Sequence, residues 1–327
     1  MREILNLVKG AVSTKDLVPV LTHFLIYRGR IQGGNGRVSI DAECSGLDGL
    51  NFAVPADRFI RAIDACNSDP VLESRGDKLS VRAAGFRALL PVLQAESYPY
   101  KALIKNEPYL YSKGNPRFLD VLRKLKPFIS TDASRPWSNS VFFRDGFAYA
   151  TNNVVLARIP CDYAGPEMQV STHGVDEILR IGQEIDFFSL YETAIHFSYK
   201  DFWMDVQGVS ELWPSKLGDL CDQINTPTSN WVRCDGVLDK VSKLEHFFPD
   251  KKVPTVVIEG GKASTLDGDC SAEVDLGVEP GEKSLFNFNA LKLVLGAATS
   301  VNLSLSPNTA AWKGDDGIEG LISKMRV

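Results

Sequence analysis

The chain has 327 residues, with 36 Lys plus Arg against 41 Asp plus Glu, a formal net charge of −5, and is 44% apolar and 24% charged. That length is too great for one ordinary hydrophobic core and suits two or three domains, while the composition excludes a disordered chain, a collagen or a disulfide scaffold. No run approaches the roughly 20 apolar residues that span a bilayer, and the opening MREILNLVKG lacks a signal peptide's apolar core, so a cytoplasmic protein is expected.

In chain order, a first helix is predicted over residues 4–12, leading into the alternating strands of THFLIYRGRIQGGNGRVSIDAE with a hairpin turn at Arg28-Gly29-Arg30. From Val54, VPADRFIRAIDAC reads as a short extended run followed by an amphipathic helix. VLESRGDKLSVRAAGFRALLPV then alternates again, and Glu96-Ser97-Tyr98-Pro99 closes the segment. The same succession returns in the middle of the chain. A helix over 118–128 precedes SVFFRDGFAYATNNVVLARIP, which turns at Arg144-Asp145-Gly146. VSTHGVDEILRIG begins at Val170, DFFSLYETAIHFSYKDFWMDVQ follows, and Glu211-Leu212-Trp213-Pro214 ends it. It returns a third time as a helix over 237–248, then PTVVIEGGKASTLDGDCSAEVDLG turning at Glu259-Gly260-Gly261, then FNFNALKLVLGAA from Phe286 and VNLSLSPNTAAWKGDDGIEGLI.

The second helices therefore recur from Val54, Val170 and Phe286, 116 residues apart each time. A fixed period of this kind marks a repeat architecture. The expectation is an α+β fold of three similar domains, 1–107, 108–222 and 223–327, each with two helices packed on antiparallel sheets. Leu119, Leu122 and Leu125, or Val237, Leu238 and Val241, supply a helix's apolar stripe, and the six polar faces should line one side of the molecule. Six windows (3–12, 56–66, 116–126, 173–182, 235–246, 289–298) hold eleven bases, Lys9, Arg58, Arg61, Arg117, Arg123, Lys124, Lys126, Arg180, Lys240, Lys243 and Lys292, against nine acids. The helices net about +2 and the rest of the chain about −7. Asp57, Asp176 and Asp235 stand near helix starts, where a carboxylate caps free N–H groups. An ordinary solvated helix face accounts for any one of these helices; the sixfold recurrence is what singles them out.

Chemistry is sparse. Cys44, Cys66, Cys161, Cys221, Cys234 and Cys270 show no CxxC spacing and read as reduced thiols, and His23, His173, His196 and His246 lack HxxxH or HExxH spacing. Residues 259–264, EGGKAS, resemble a phosphate loop but lack GxxxxGK[ST] and lie between strands. No metal, cofactor or catalytic constellation is expected.

Several strings, in order, resemble the bacterial-type sliding clamp, the β subunit of the replicative DNA polymerase, over essentially the whole chain. They are Leu17-Val18-Pro19-Val20-Leu21, Phe52-Ala53-Val54-Pro55-Ala56, the run YATNNVVLA at 149–157, similar to the family's strand and Ala-Thr-Asp-Gly-His-Arg-Leu turn, and the terminal Ser323-Lys324-Met325-Arg326-Val327. The shortness and the altered positions fit a divergent or phage-encoded member. The resemblance implies a non-enzymatic, head-to-tail homodimer closing a six-domain ring around double-stranded DNA, with DNA polymerase and clamp loader held by short peptide motifs. It implies that the helix bases, with Lys15 and the aromatic Trp137, face DNA. It further implies a peptide pocket of Thr151, Asn153, Val154, Val155, Leu156, Pro214, Leu321, Ser323, Met325 and Val327, and a subunit interface using Leu90, Phe247 and Phe248 ahead of Pro249. Phe247 and Phe248 cannot both face one helix stripe, because successive side chains lie about 100° apart. A clamp-like regulator that captures clamp partners without encircling DNA is the alternative, needing the pocket but neither ring nor basic face.

Overall fold

The computed structural model describes residues 1–15, 18–99, 108, 110–225, 230–248, 253–266, 270–277 and 283–326; Leu17, Pro249 and Val327 lie outside them. The first third of the chain gives α1 (Arg2–Lys9), β1 (His23–Tyr27), β2 (Arg30–Gly34), β3 (Val38–Glu43), β4 (Phe52–Pro55), α2 (Ala56–Asp64), β5 (Val71–Arg75), β6 (Lys78–Ala83), β7 (Phe86–Pro91) and β8 (Leu93–Gln94). The middle third gives β9 (Leu110–Lys113), α3 (Phe118–Leu125), β10 (Ser140–Arg144), β11 (Phe147–Thr151), β12 (Val155–Pro160), β13 (Met168–Ser171), α4 (Thr172–Ile181), β14 (Phe187–Leu190), β15 (Ala194–Ser198), β16 (Phe202–Gln207) and α5 (Lys216–Leu220). The last third gives β17 (Val232–Arg233), α6 (Val237–Ser242), β18 (Thr255–Glu259), β19 (Lys262–Thr265), β20 (Glu273–Asp275), β21 (Ser284–Asn287), α7 (Phe288–Leu295), β22 (Ala298–Asn302), β23 (Thr309–Gly314) and β24 (Glu319–Ser323). The α+β class and the threefold succession are as the pattern requires. The short α5 is an addition that no apolar period announced.

Local chemistry explains the recurring hairpins. Each first hairpin turns on two residues in the left-handed region, Arg28 and Gly29 (φ 47° and 72°), Asp145 and Gly146 (50° and 79°), Gly260 and Gly261 (54° and 76°). Two such residues form the turn whose twist matches paired strands. The apolar stripes are slightly shifted from expectation: α3 buries Phe118, Val121, Leu122 and Leu125, with Leu119 half-buried, and α6 buries Val237 and Val241, with Leu238 half-buried. The capping expectation is corrected. Asp57 pairs with Lys9 and Asp235 with Arg233, and the caps of α2, α4 and α6 are Pro55, Ser171 and Gly236, none bonding through its side chain. Asn287 does cap, accepting from the Ala290 N–H at 3.0 Å.

The chain divides into two compact units, Met1–Leu119 with Val170–Val209, and Asp120–Gln169 with Ser210–Val327. Each unit joins pieces of two successive thirds. Unit 1 holds a nine-stranded sheet, β8-β4-β1-β2-β3-β16-β15-β14-β9, and the three-stranded β5-β6-β7. Unit 2 holds an eight-stranded sheet, β13-β10-β11-β12-β24-β23-β22-β17, and the four-stranded β20-β19-β18-β21. The large sheets are made by antiparallel pairing of third strands, β3 with β16 and β12 with β24. The two closing sequences that look alike also pack alike: Tyr98 is buried on Leu25 and Ala53, and Trp213 on Phe142, which follows its own hairpin numbering as Leu25 does.

At the second joint the strands approach closely because position 320 has no side chain. A Cβ on Gly320 would run into the Leu156 carbonyl oxygen and the buried Trp312 ring. Overpacking of this kind costs about 1–3 kcal/mol. Gly320→Ala is therefore expected to lower the urea midpoint of unfolding, and an unchanged midpoint would count against so close an approach.

Candidate nucleic-acid and peptide interfaces

The helix bases fall into two groups. In unit 1, Lys9 of α1 reaches Asp57 of α2 at 3.0 Å, and Arg180 of α4 donates to the buried Glu177 at 2.9 Å and to the Leu7 carbonyl at 2.6 Å. In unit 2, Lys124 holds Asp120 at 3.1 Å and also Asp316, Lys292 of α7 holds Glu245 at 2.7 Å, and Lys240 donates to the Leu276 carbonyl at 2.8 Å. By contrast Lys15, Arg58, Arg61, Arg117, Arg123 and Lys243 are exposed and carry no ion pair among the described residues. Lys126 is exposed as well. Within each unit carboxylates thus neutralise part of the positive charge that the sequence counts.

Trp137, expected by resemblance to face DNA, packs in the aromatic cluster of unit 2. Its half-buried ring meets Trp213 edge-on at 5.5 Å, and Trp213 in turn stacks on Phe142 at 5.2 Å.

The residues expected of a peptide pocket, apart from Val327, come together in unit 2. Thr151 donates to the Val155 carbonyl at 2.7 Å and accepts from the Asn153 N–H, while Asn152 accepts from Val154 and Val155 N–H groups. These bonds allow the loop to turn through Asn153 at φ 71°. Beyond it Val155 and Leu156 are buried, and Leu156 lies opposite Leu321 across the joint. The Ser323 N–H donates to the Val154 carbonyl at 2.9 Å and the Met325 N–H to the Leu285 carbonyl at 2.8 Å, which brings the C-terminal segment to the same loop. Val154, Asn153 and Met325 are half-buried, and Pro214 and Ser323 are exposed.

Several residues of this site were invisible to motif reading. Phe142, Tyr149, Trp213, Cys221 and Ile224 share one buried cluster with Leu156 and Leu321, with Trp137, Phe147, Leu217 and Trp231 packed against it. Leu212, beside Trp213, is 85% exposed, a large apolar side chain in water at the cluster's rim. The connecting segment is pinned by Arg158, 3% exposed, which bonds Glu319 at 2.8 Å, Asp222 at 3.0 Å and the Cys221 carbonyl, under the Phe147 ring at 4.7 Å. Burial pushes the Cys221 thiol up to about 12, so it stays protonated. Among the interface candidates, Phe248 packs on Phe288 at 4.7 Å and Phe247 is 43% exposed, the split that a helix end imposes. Leu90, expected at the interface, is instead 7% exposed within the chain, because it faces inward on β7 while its neighbour Leu89 is 48% exposed.

No protein-family model and no curated protein matches the chain. Solved structures do. A DnaN sliding clamp from Pseudomonas aeruginosa bound to griselimycin superposes over 100% of this chain and 97% of its own, with TM-score 0.79 and 18% identity. A putative DNA polymerase III beta subunit from Eubacterium rectale gives 0.81 at 14% identity, again over 100% and 97%. The Helicobacter pylori beta clamp bound to a DNA ligase peptide gives 0.76 at 12%, over the same shares. The fold is that of the bacterial sliding clamp. Within this clamp fold, no group of three or more His, Cys, Asp or Glu among the described residues is placed to hold a metal ion, and no described helix is long and apolar enough to cross a membrane.

Arg158 offers a test of how the clamp fold holds its second joint. Removing one partner of a buried pair leaves the other charge uncompensated, at a cost of about 3–5 kcal/mol. Arg158→Met should lose that much stability in urea, and Arg158→Met with Glu319→Leu should recover most of the loss. Equal losses in both variants would remove the pair from the account of the joint.

Proposed function

We propose that this chain is a sliding clamp: a non-enzymatic processivity factor of the cytoplasm, two copies of which close a ring around double-stranded DNA and tether a DNA polymerase and other partners, including a clamp loader, by short peptides. The observation that carries the reading is the likeness of fold over the full chain, gained at identities of 12–18%. Three domains, 1–107, 108–222 and 223–327, would make six in such a ring, and repeated domains favour a rotation that closes.

The electrostatics support sliding rather than gripping. Lys15, Arg58, Arg61, Arg117, Arg123 and Lys243 supply sequence-independent phosphate contacts, whereas Lys9, Lys124, Arg180, Lys240 and Lys292 reach phosphate only by giving up the partners described above. A face on which Lys9, Lys124, Arg180 and Lys292 are already paired to carboxylates holds DNA loosely and its affinity falls less steeply with salt. The peptide groove would be the Thr151–Leu156 loop with Pro214 and the Leu321–Met325 segment, its aromatic side built by Trp213 and Trp137. An apolar cluster beside an exposed leucine and a half-buried methionine takes hydrophobic anchors and repacks around them.

Light scattering at micromolar concentration should report twice the 36.0 kDa chain mass; a strictly monomeric protein that stays monomeric with DNA overturns the ring and favours a partner-capturing regulator. Arg58→Glu, Arg61→Glu and Arg123→Glu together should lower duplex-DNA affinity by on the order of tenfold or more at low salt, read by fluorescence anisotropy. Lys9→Gln should lower it less than Arg61→Gln does, because Lys9 must give up its pair with Asp57 at 3.0 Å to reach phosphate. Equal effects would mean that the intramolecular pairs do not shield the face.

A further inference from the structure

In the middle and last thirds the strand ahead of the first helix pairs with the strand after the second, β9 with β14 and β17 with β22. In the first third β5 follows α2 in the same way, and among the described residues it pairs only with β6. One strand place stands open there. The 116-residue period carries Phe187 of β14 onto Val71 of β5, and Asp186 onto Pro70.

β5 and β6 close on a two-residue turn, with Gly76 at φ 61° and Arg75 facing Lys78, so Val71, Glu73 and Arg75 spend their backbone groups on β6. The N–H and C=O groups of Leu72 and Ser74 therefore point outward, and no described group bonds them. An edge of this kind is a template for another strand. Val71 beside them is 55% exposed, an apolar side chain that such a strand would cover.

The two filled places show the chemistry of the strand that fits. Both strands run antiparallel and each ends on a base, Lys113 opposite Phe187 and Arg233 opposite Ser300. Phe187 faces Ser198 and Ser300 faces Lys313, each just after the large ring of its strand, Phe197 or Trp312, so the two bases hold the same place. The next N–H donates to the facing carbonyl, Gly114 to Asp186 at 2.8 Å and Cys234 to Thr299 at 3.0 Å. In the first third that carbonyl belongs to Pro70.

Charge around Pro70 suits a basic strand end. A cleft of about 630 Å³ opens between residues 1–3 and 67–70. Glu3 and Asp69 are exposed in it with no ion pair among the described residues, while Arg2 lies 3.7 Å from Asp64 and donates to the Ile63 and Cys66 carbonyls. Asp69 stands two residues before Val71, the spacing that puts side chains on one side of an extended chain and within diagonal reach of a facing strand.

We propose that the open edge of β5 takes an extended segment of a partner protein as a further antiparallel strand, with a lysine or arginine opposite Val71 and the next N–H on the Pro70 carbonyl. Main-chain bonds supply the affinity and the base supplies the selectivity. The place is distinct from the peptide groove of unit 2, and it does not depend on ring closure.

The probe is a labelled peptide of sequence LYSKGNP, that of residues 110–116, and the receptor is the whole chain. Binding, followed by fluorescence anisotropy, should slow hydrogen exchange at the Leu72 and Ser74 amides and leave Glu73 unchanged. N-methylation of the peptide's serine, whose N–H meets Leu72, should raise the dissociation constant by on the order of tenfold or more. N-methylation of its lysine, whose N–H points away, should do far less. Lysine-to-glutamate replacement in the peptide should also weaken binding, and Asp69→Lys in the chain should recover it. No saturable binding, equal losses from the two methylations, no recovery by Asp69→Lys, or protection at other strands instead overturns the proposal. Protection of Leu72 and Ser74 that grows with protein concentration in the absence of peptide puts a second copy in the place, and overturns it as well.

Discussion

The antiparallel pairing of third strands is the constraint on which the rest of this structure depends. A half-repeat of helix and hairpin strands leaves one sheet edge with unpaired N–H and C=O groups, which water or another strand must satisfy. β3 and β16 satisfy each other, as do β12 and β24, and each pairing ties one third of the chain to the next. Because side chains alternate along a strand, the pairing also fixes which residues share a face. That is how Arg158 comes to lie against Glu319 and Leu156 against Leu321.

The same constraint organises the candidate peptide groove. Its loop and the C-terminal segment are 170 residues apart in the chain, and they meet because the β12–β24 ladder delivers both ends to one place. Behind them the aromatic cluster forms because the connecting segment after β16 is pinned by a buried arginine. The groove is a by-product of a joint, and its aromatic wall follows from residues that, singly, carry no motif.

Charge follows a related logic on the helices. Acids and bases are interspersed along these faces, and some of them pair, within one helix as Lys124 with Asp120 or between neighbouring helices as Lys9 with Asp57. Pairs such as Lys9–Asp57 and Lys292–Glu245 are exposed, so each contributes little to stability. Their effect is on the field that DNA would meet, which is weaker than the number of lysines and arginines suggests.

Periodicity and turn chemistry in the sequence determined the repeat, the helices, the hairpin turns and the α+β class, since these depend on neighbours within a dozen residues. The 116-residue period from Val54 to Val170 to Phe286 needed no structure to be seen. Which strands lie side by side did need it, because sheet pairing is a long-range choice that no local signal carries. Tertiary structure therefore decided that the middle third is shared between two units, that Trp137 packs on Trp213, that Leu90 points inward, and that Lys9, Lys124, Arg180 and Lys292 are already paired to carboxylates.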